Sequence, residues 1–308
     1  MKTARNSPAL AILGLAVAVA LLLLLLKNNP TSSGQDDGGG QWHLARTMVS
    51  EDTYQRVQIR SRVRKGGELG FKFTGSLDAS VVELLSLARE TDAMPQWNQY
   101  CSQGGIVRQK GATELWVFAD FHFFPMPIPR LFVALHANAD DRLDRQGHWH
   151  LVGRTEPAGS PAAIDRSALP AKVRQHGEVV VSSLTAKLTP QARAHAAAGG
   201  EATPDRTRFD LQVVMQLSTL TFLGPIRHLT PPQWVVNVLA NVMLPGLWKC
   251  ILDTTARLRR DGTSDVLGAR IQADPTGLYR KIRRSTGQED ASTRRGADAA
   301  ATKEPRRR

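Results

Sequence analysis

Two cysteines in 308 residues, Cys101 and Cys250, are too few for a disulfide-rich scaffold and allow one bridge at most. The expectation is two buried thiols. No cysteine pair has zinc-ligand spacing. His148-Trp149-His150 puts two histidines on one face of a strand, but no third ligand is identifiable, so no metal is expected. The chain has no Walker motif and no GxGxxG. Gly38-Gly39-Gly40, Gly66-Gly67 and Gly104-Gly105 read as turns or linker. A Ser/His/Asp order with a nucleophile elbow is also missing. These absences remove the common nucleotide-binding and hydrolase chemistries, and no cofactor is expected.

Apolar content of 42% is enough for a packed core, and the net charge of +12 calls for an acidic partner, either lipid headgroups or nucleic acid. From Pro8 to Leu26 the chain carries no charge. As a helix this run spans roughly 28 Å, about one bilayer core. It is longer than the apolar region of a signal peptide, and it ends in leucines and Lys27 with no small-x-small cleavage site. Residues 1–27 therefore read as an uncleaved anchor. The expectation is a single-pass membrane protein of an endomembrane such as the endoplasmic reticulum, with no nucleic-acid partner. Residues 28–41, rich in Gly, Ser, Asn and Asp, read as a flexible linker. Residues 263–308 are polar and Arg-rich and read as a mostly disordered basic tail that meets an anionic membrane surface. That leaves 42–262 as one domain, expected to be monomeric.

Within this domain, strands are expected from Leu115 through Phe124, at Leu131–Ala137, at His148–Gly153 and at Glu178–Leu184. The clearest is Phe209–Leu217, where Phe209, Leu211, Val213, Met215 and Leu217 alternate with Asp210, Gln212 and Gln216. One buried face and one wet face is an antiparallel habit. Ala79–Thr91 has helical spacing, with Asp78 or Ser80 as N-cap. A long last helix runs from Trp234 to Arg260 after Pro231-Pro232, and Pro245-Gly246 is expected to kink it.

The order of these elements resembles a START domain, of the StAR-related lipid-transfer family. The residues that carry the resemblance are Pro95-Gln96-Trp97-Asn98 at the end of a helix, the turn Pro125-Met126-Pro127-Ile128-Pro129-Arg130 between two strands, and Pro232-Gln233-Trp234-Val235-Val236-Asn237 opening the long helix. It covers roughly Val63 to Leu258. The family commonly has Arg-Asp after the proline turn, where this chain has Arg130-Leu131, and the stretch from Thr219 to Pro225 has no acid. The resemblance implies an α+β helix-grip fold, a curved antiparallel sheet wrapped around the C-terminal helix. It also implies an internal apolar cavity for one lipid of the sterol or phospholipid class.

On that reading, the lipid-binding candidates come from three places. Trp116, Phe118, Asp120 and His122 share one face of the expected strand Leu115–Phe124, with Asp120 and His122 either polar groups inside the cavity or a solvated pair on the outer face. Arg130 and His136 share a parity after the proline turn. Val213 and Met215 face Trp234, Val238, Leu239 and Val242 of the long helix. Helix-grip relatives also include cyclases. An enzyme would need a positioned acid–base pair, and the spacing of Asp120 and His122 suits that role poorly, so lipid binding without catalysis is expected.

Overall fold

The structure, a computed structural model, describes residues 41–50, 55–64, 68–122, 130–191, 206–216 and 233–286. The ten strands are β1 (His43–Ser50), β2 (Gln55–Arg64), β3 (Glu68–Leu77), β4 (Cys101–Lys110), β5 (Glu114–Phe121), β6 (Leu131–Arg142), β7 (His148–Arg154), β8 (Gly177–Glu178), β9 (Val180–Gln191) and β10 (Arg206–Gln216). They form one sheet in the order β1-β2-β3-β10-β9-β7-β6-β5-β4. Its pairings are antiparallel, apart from the short β8 beside β6.

Register lines up the apolar residues across the sheet. Val57 lies opposite Gly75, Gly75 opposite Phe209, Phe209 opposite Leu188, and Leu188 opposite Trp149. One row further, Ile59, Phe73, Leu211, Ala186, Leu151 and Ala139 are matched in the same way. Because side chains alternate along each strand, these rows define a single inner face. On β2 the alternate residues Arg56, Gln58, Arg60, Arg62 and Arg64 point the other way.

The helices are α1 (Val81–Arg89), the single turn α2 (Leu143–Gln146), α3 (Gln233–Asp261), α4 (Val266–Ala273) and α5 (Leu278–Ser285). Ser80, one of the two expected caps, starts α1. Its hydroxyl accepts from Glu83 N at 3.1 Å, and the Glu83 carboxylate accepts from Ser80 N at 2.6 Å. The other candidate, Asp78, pairs with Arg206 instead. The long helix α3 lies on the inner face and packs against β1 and β2. Leu244, Trp248, Ile251, Leu252 and Leu258 enter the core, and the Trp248 ring sits 5.6 Å from that of Phe209. A large antiparallel sheet with a C-terminal helix on one face is consistent with a helix-grip. Pro245 lies inside an unbroken helix. Beside it, a Cβ at Gly246 would fall 2.2 Å from the Tyr100 hydroxyl, so glycine here permits a close approach between α3 and the segment before β4.

The disordered tail expected from residue 263 is corrected by α4 and α5. Leu267 and Ile271 of α4 and Leu278, Tyr279 and Ile282 of α5 are buried in the same core as α1 and β2. The Asp265 carboxylate accepts from Leu267 N at 2.8 Å and caps α4. Asp274, in the left-handed region at φ 33°, ends α4, and its carboxylate accepts from Tyr279 N and Arg280 N at the start of α5. Overall composition concealed this arrangement. The arginines of α5 lie on its outer side, while three apolar residues at helical spacing hold its inner side. The folded unit thus extends beyond 262, at least to Thr286.

Among the described residues, no helix is long and apolar enough to cross a membrane. The uncharged run at residues 8–26, the linker at 28–40 and the chain after Thr286 lie outside the described residues.

Candidate functional site

The sequence candidates fall on two different faces. Trp116, Phe118 and Asp120 of β5 and His136 of β6 lie on the outer face, away from α3. A strap from Thr155 to Val179 covers them, and Phe118, Phe132 and Ala134 pack there with Leu169 and Val173 of that strap. The strap explains why β5 is apolar on both faces: each has its own cover. The expectation that these residues face a cavity under α3 is corrected on this ground.

Each outer-face residue has a structural partner. Trp116 Nε1 donates to the Ala162 carbonyl at 2.7 Å. The Trp116 ring is stacked between His136, at 4.4 Å and 12° between planes, and the Arg108 guanidinium, 3.6 Å from its centroid. His136 bridges two carboxylates, with Nε2 3.0 Å from Glu114 and Nδ1 3.3 Å from Glu156. The Glu156 carboxyl is held below the usual range, first by its hydrogen bond from Arg154 and then by His136.

Asp120 is buried and meets His176 Nδ1 at 2.7 Å and the Ser102 hydroxyl at 2.5 Å. His176 belongs to the strap, so this pair fastens the strap to the sheet. Sequence reasoning missed both Ser102 and His176. They lie 18 and 56 residues from Asp120, and no local pattern links them. Ser102 and His176 thus meet on the two oxygens of one carboxylate, Oδ2 and Oδ1 of Asp120. A cleft of about 400 Å³ lies beside this pair, lined by Phe132, Leu169, Arg166, Arg174, His176 and Val180. Arg166 there is paired with Glu178.

His122 lies just past β5; its backbone N–H donates to the Tyr100 carbonyl at 2.8 Å, and its Nδ1 is buried without a hydrogen-bond partner. Arg130 is exposed at the start of β6. The proline turn between them, residues 123–129, lies outside the described residues. His148 and His150 approach edge to face, with centroids 6.1 Å apart, and the described residues hold no cluster of three metal ligands. Cys101 is buried and Cys250 half-buried, and both are free thiols. Burial pushes the Cys101 thiol up to about 11, which keeps it protonated and unreactive at neutral pH.

Val213 and Met215 lie in the inner-face rows opposite Phe71 and Leu69. The helix positions expected to face them, Trp234, Val238, Leu239 and Val242, are in α3, but their side chains lie outside the described residues. The inner face has two distinct ends. At one, Val57, Ile59, Phe209, Leu188 and Trp149 are fully buried under the second half of α3 together with α1, α4 and α5. At the other, Phe71, Leu135, Leu184, Leu211, Val213 and Met215 stay half-buried, while Leu69 opposite Met215 and Val117 opposite Leu135 are buried. This is an apolar surface that the described side chains leave incompletely covered.

No family pattern matches the chain, and no curated protein does. Among solved structures it is similar to human STARD10, at 10% identity over 79% of this chain and 84% of that one, with a TM-score of 0.47. It is similar to human StAR-related lipid transfer protein 5 at 11% identity, over 82% of this chain and 100% of that one, with a TM-score of 0.47. A STAR-related lipid transfer protein fragment from Xanthomonas axonopodis is 17% identical, over 71% of this chain and 99% of its own, with a TM-score of 0.43.

Proposed function

We propose that the chain is a membrane-anchored lipid-binding protein that holds one apolar lipid, of the sterol or phospholipid class, between the half-buried end of the inner face and the first half of α3. The observation that carries this reading is the contrast along one face. Leu184, Leu211 and Val213 lie on the same face as Leu188 and Phe209, in adjacent rows, yet among the described residues only the latter two belong to the buried core. An aliphatic surface of this kind gains about 25 cal/mol for each Å² that a ligand takes out of water.

The residues at 8–26 serve as a single-pass anchor in an endomembrane, and the basic residues after Thr286 add contacts to anionic lipid. The protein acts as a monomer. Catalysis is not part of the reading, because the Asp120–His176 pair faces away from α3 and is engaged in holding the strap. Native mass spectrometry of the purified chain tests the proposal: one lipid per protein is expected. A protein that carries no lipid, and takes none up from mixed sterol and phospholipid vesicles, would sink it.

A further inference from the structure

The outer face of β2, β3 and β10 carries charge that the lipid-binding reading does not use. Arg56, Arg60, Arg62 and Arg64 alternate along β2, joined by Lys72 of β3 and Arg208 of β10. Glu68 and Asp210 are the acids among them, and each is already paired, with Arg64 at 3.5 Å and with Lys72 at 3.0 Å. Arg56, Arg60, Arg62 and Arg208 have no carboxylate partner among the described residues. On the adjoining edge strand, Leu44 lies opposite Arg60 and Val49 opposite Arg56, and both are more than half exposed.

A second feature fixes the direction of this face. The Trp42 ring lies 4.2 Å from the Arg62 guanidinium, on the outer side of the sheet. Gly70 makes room for the stack, since a Cβ there would meet Arg62 Cγ at 2.9 Å and the Trp42 ring at 3.2 Å. The chain therefore enters the domain across the basic face itself.

We propose that the outer face of β2, β3 and β10, with Leu44 and Val49 at its edge, docks on an anionic lipid bilayer and sets the domain's orientation on the membrane. Lipid fits better than nucleic acid for two reasons. Exposed aliphatic side chains beside arginines match the headgroup–acyl boundary. Among the described residues the face also offers no free aromatic ring for base stacking, because Trp42 is engaged by Arg62. Arg62 is already partly desolvated, and burial followed by Arg64 pulls its pKa below the usual arginine value; a phosphate or carboxylate headgroup would relieve both effects. The proposal rests on the membrane anchor of the reading above, but not on what the inner face binds.

The test uses the full chain reconstituted into vesicles of phosphatidylcholine alone or with about a third phosphatidylserine, read by hydrogen exchange. Exchange in β1 and β2 is expected to slow by about tenfold on the anionic vesicles. The slowing should vanish in about 1 M salt, where the screening length falls to about 3 Å. It should also vanish in the Arg56→Glu, Arg60→Glu, Arg208→Glu variant. Unchanged exchange in β5, β6 and α5 of that variant shows that it still folds. Equal exchange on both vesicles, or slowing that survives the charge reversal, overturns the proposal. So does protection of this face by duplex RNA but not by anionic vesicles. Carbonate extraction and the lipid carried by the same preparation report separately on the anchor and on the inner face.

Discussion

Tyr279 donates a 2.6 Å hydrogen bond to Glu90 inside the core, joining α5 to the end of α1 across 189 residues of chain. Arg89 and Arg270 pair with the same carboxylate at 2.6 and 3.1 Å. Burial, and then the bond to Glu90, raises the tyrosine pKa far above its ordinary value, so the hydroxyl stays a donor at any physiological pH.

Tyr279→Phe leaves Glu90 with one donor fewer in a buried site. The expected cost is about 1.5–3 kcal/mol, the usual range for a bond to a charged group, read from denaturant unfolding midpoints. Truncation after Gly262 should do much more, since it removes Leu267, Ile271, Leu278 and Ile282 as well, each contributing about 1.5–3 kcal/mol by burial. A truncated chain as stable as the full one would contradict the role given to α4 and α5.

Acid should weaken the same junction. Arg270 forks onto Asp92 at 2.6 and 2.7 Å, and that hydrogen bond is the main reason the Asp92 carboxyl lies below its ordinary value. A group depressed in the folded state contributes stability above its unfolded pKa, about 3.9, and loses it as pH falls through the lower folded value. Wild type should therefore lose more stability than Arg270→Ala between neutral pH and about pH 3. Urea midpoints at the two pH values measure the difference, and equal losses would refute the link.

Val213→Trp places a large side chain in the half-buried end of the inner face. The expected outcome is loss of co-purifying lipid with the melting temperature nearly kept, because the ring occupies ligand space. In a solid core the same change overpacks and costs about 1–3 kcal/mol. A destabilised variant, together with a wild type that carries no lipid, would show that the space is filled by protein.

Asp120→Ala and His176→Ala should loosen the strap without touching lipid content. Amide exchange between Arg166 and Val179 is expected to rise in both, and bound lipid to stay at the wild-type level, because the pair sits on the opposite face from Val213. Lipid loss in either variant would mean that the strap and the inner face are coupled.

What could be read without a structure was local. Alternation at Phe209–Leu217 identified β10 and its apolar side, and apolar spacing identified α1 and α3, because each signal lies within a few residues of chain. β2 and β3 carry the same alternation. Ser61 breaks the apolar rhythm on β2 and Gly70 and Gly75 punctuate β3, which hides the pattern in the sequence, although the structure buries Ser61 with its apolar neighbours. Parity correctly grouped Trp116, Phe118 and Asp120, but it cannot say which side of a strand meets α3. On β5, apolar on both sides, that choice rested on the strap, whose fastening bond from His176 to Asp120 spans 56 residues. Likewise, the basic tail looked unfoldable by composition, and only the core supplied by α1 and β2 gives Leu278, Tyr279 and Ile282 somewhere to be buried. Periodicity and caps are short-range properties and belong to the sequence. The inside of a sheet, and the order of a charged segment, are decided by what packs against them.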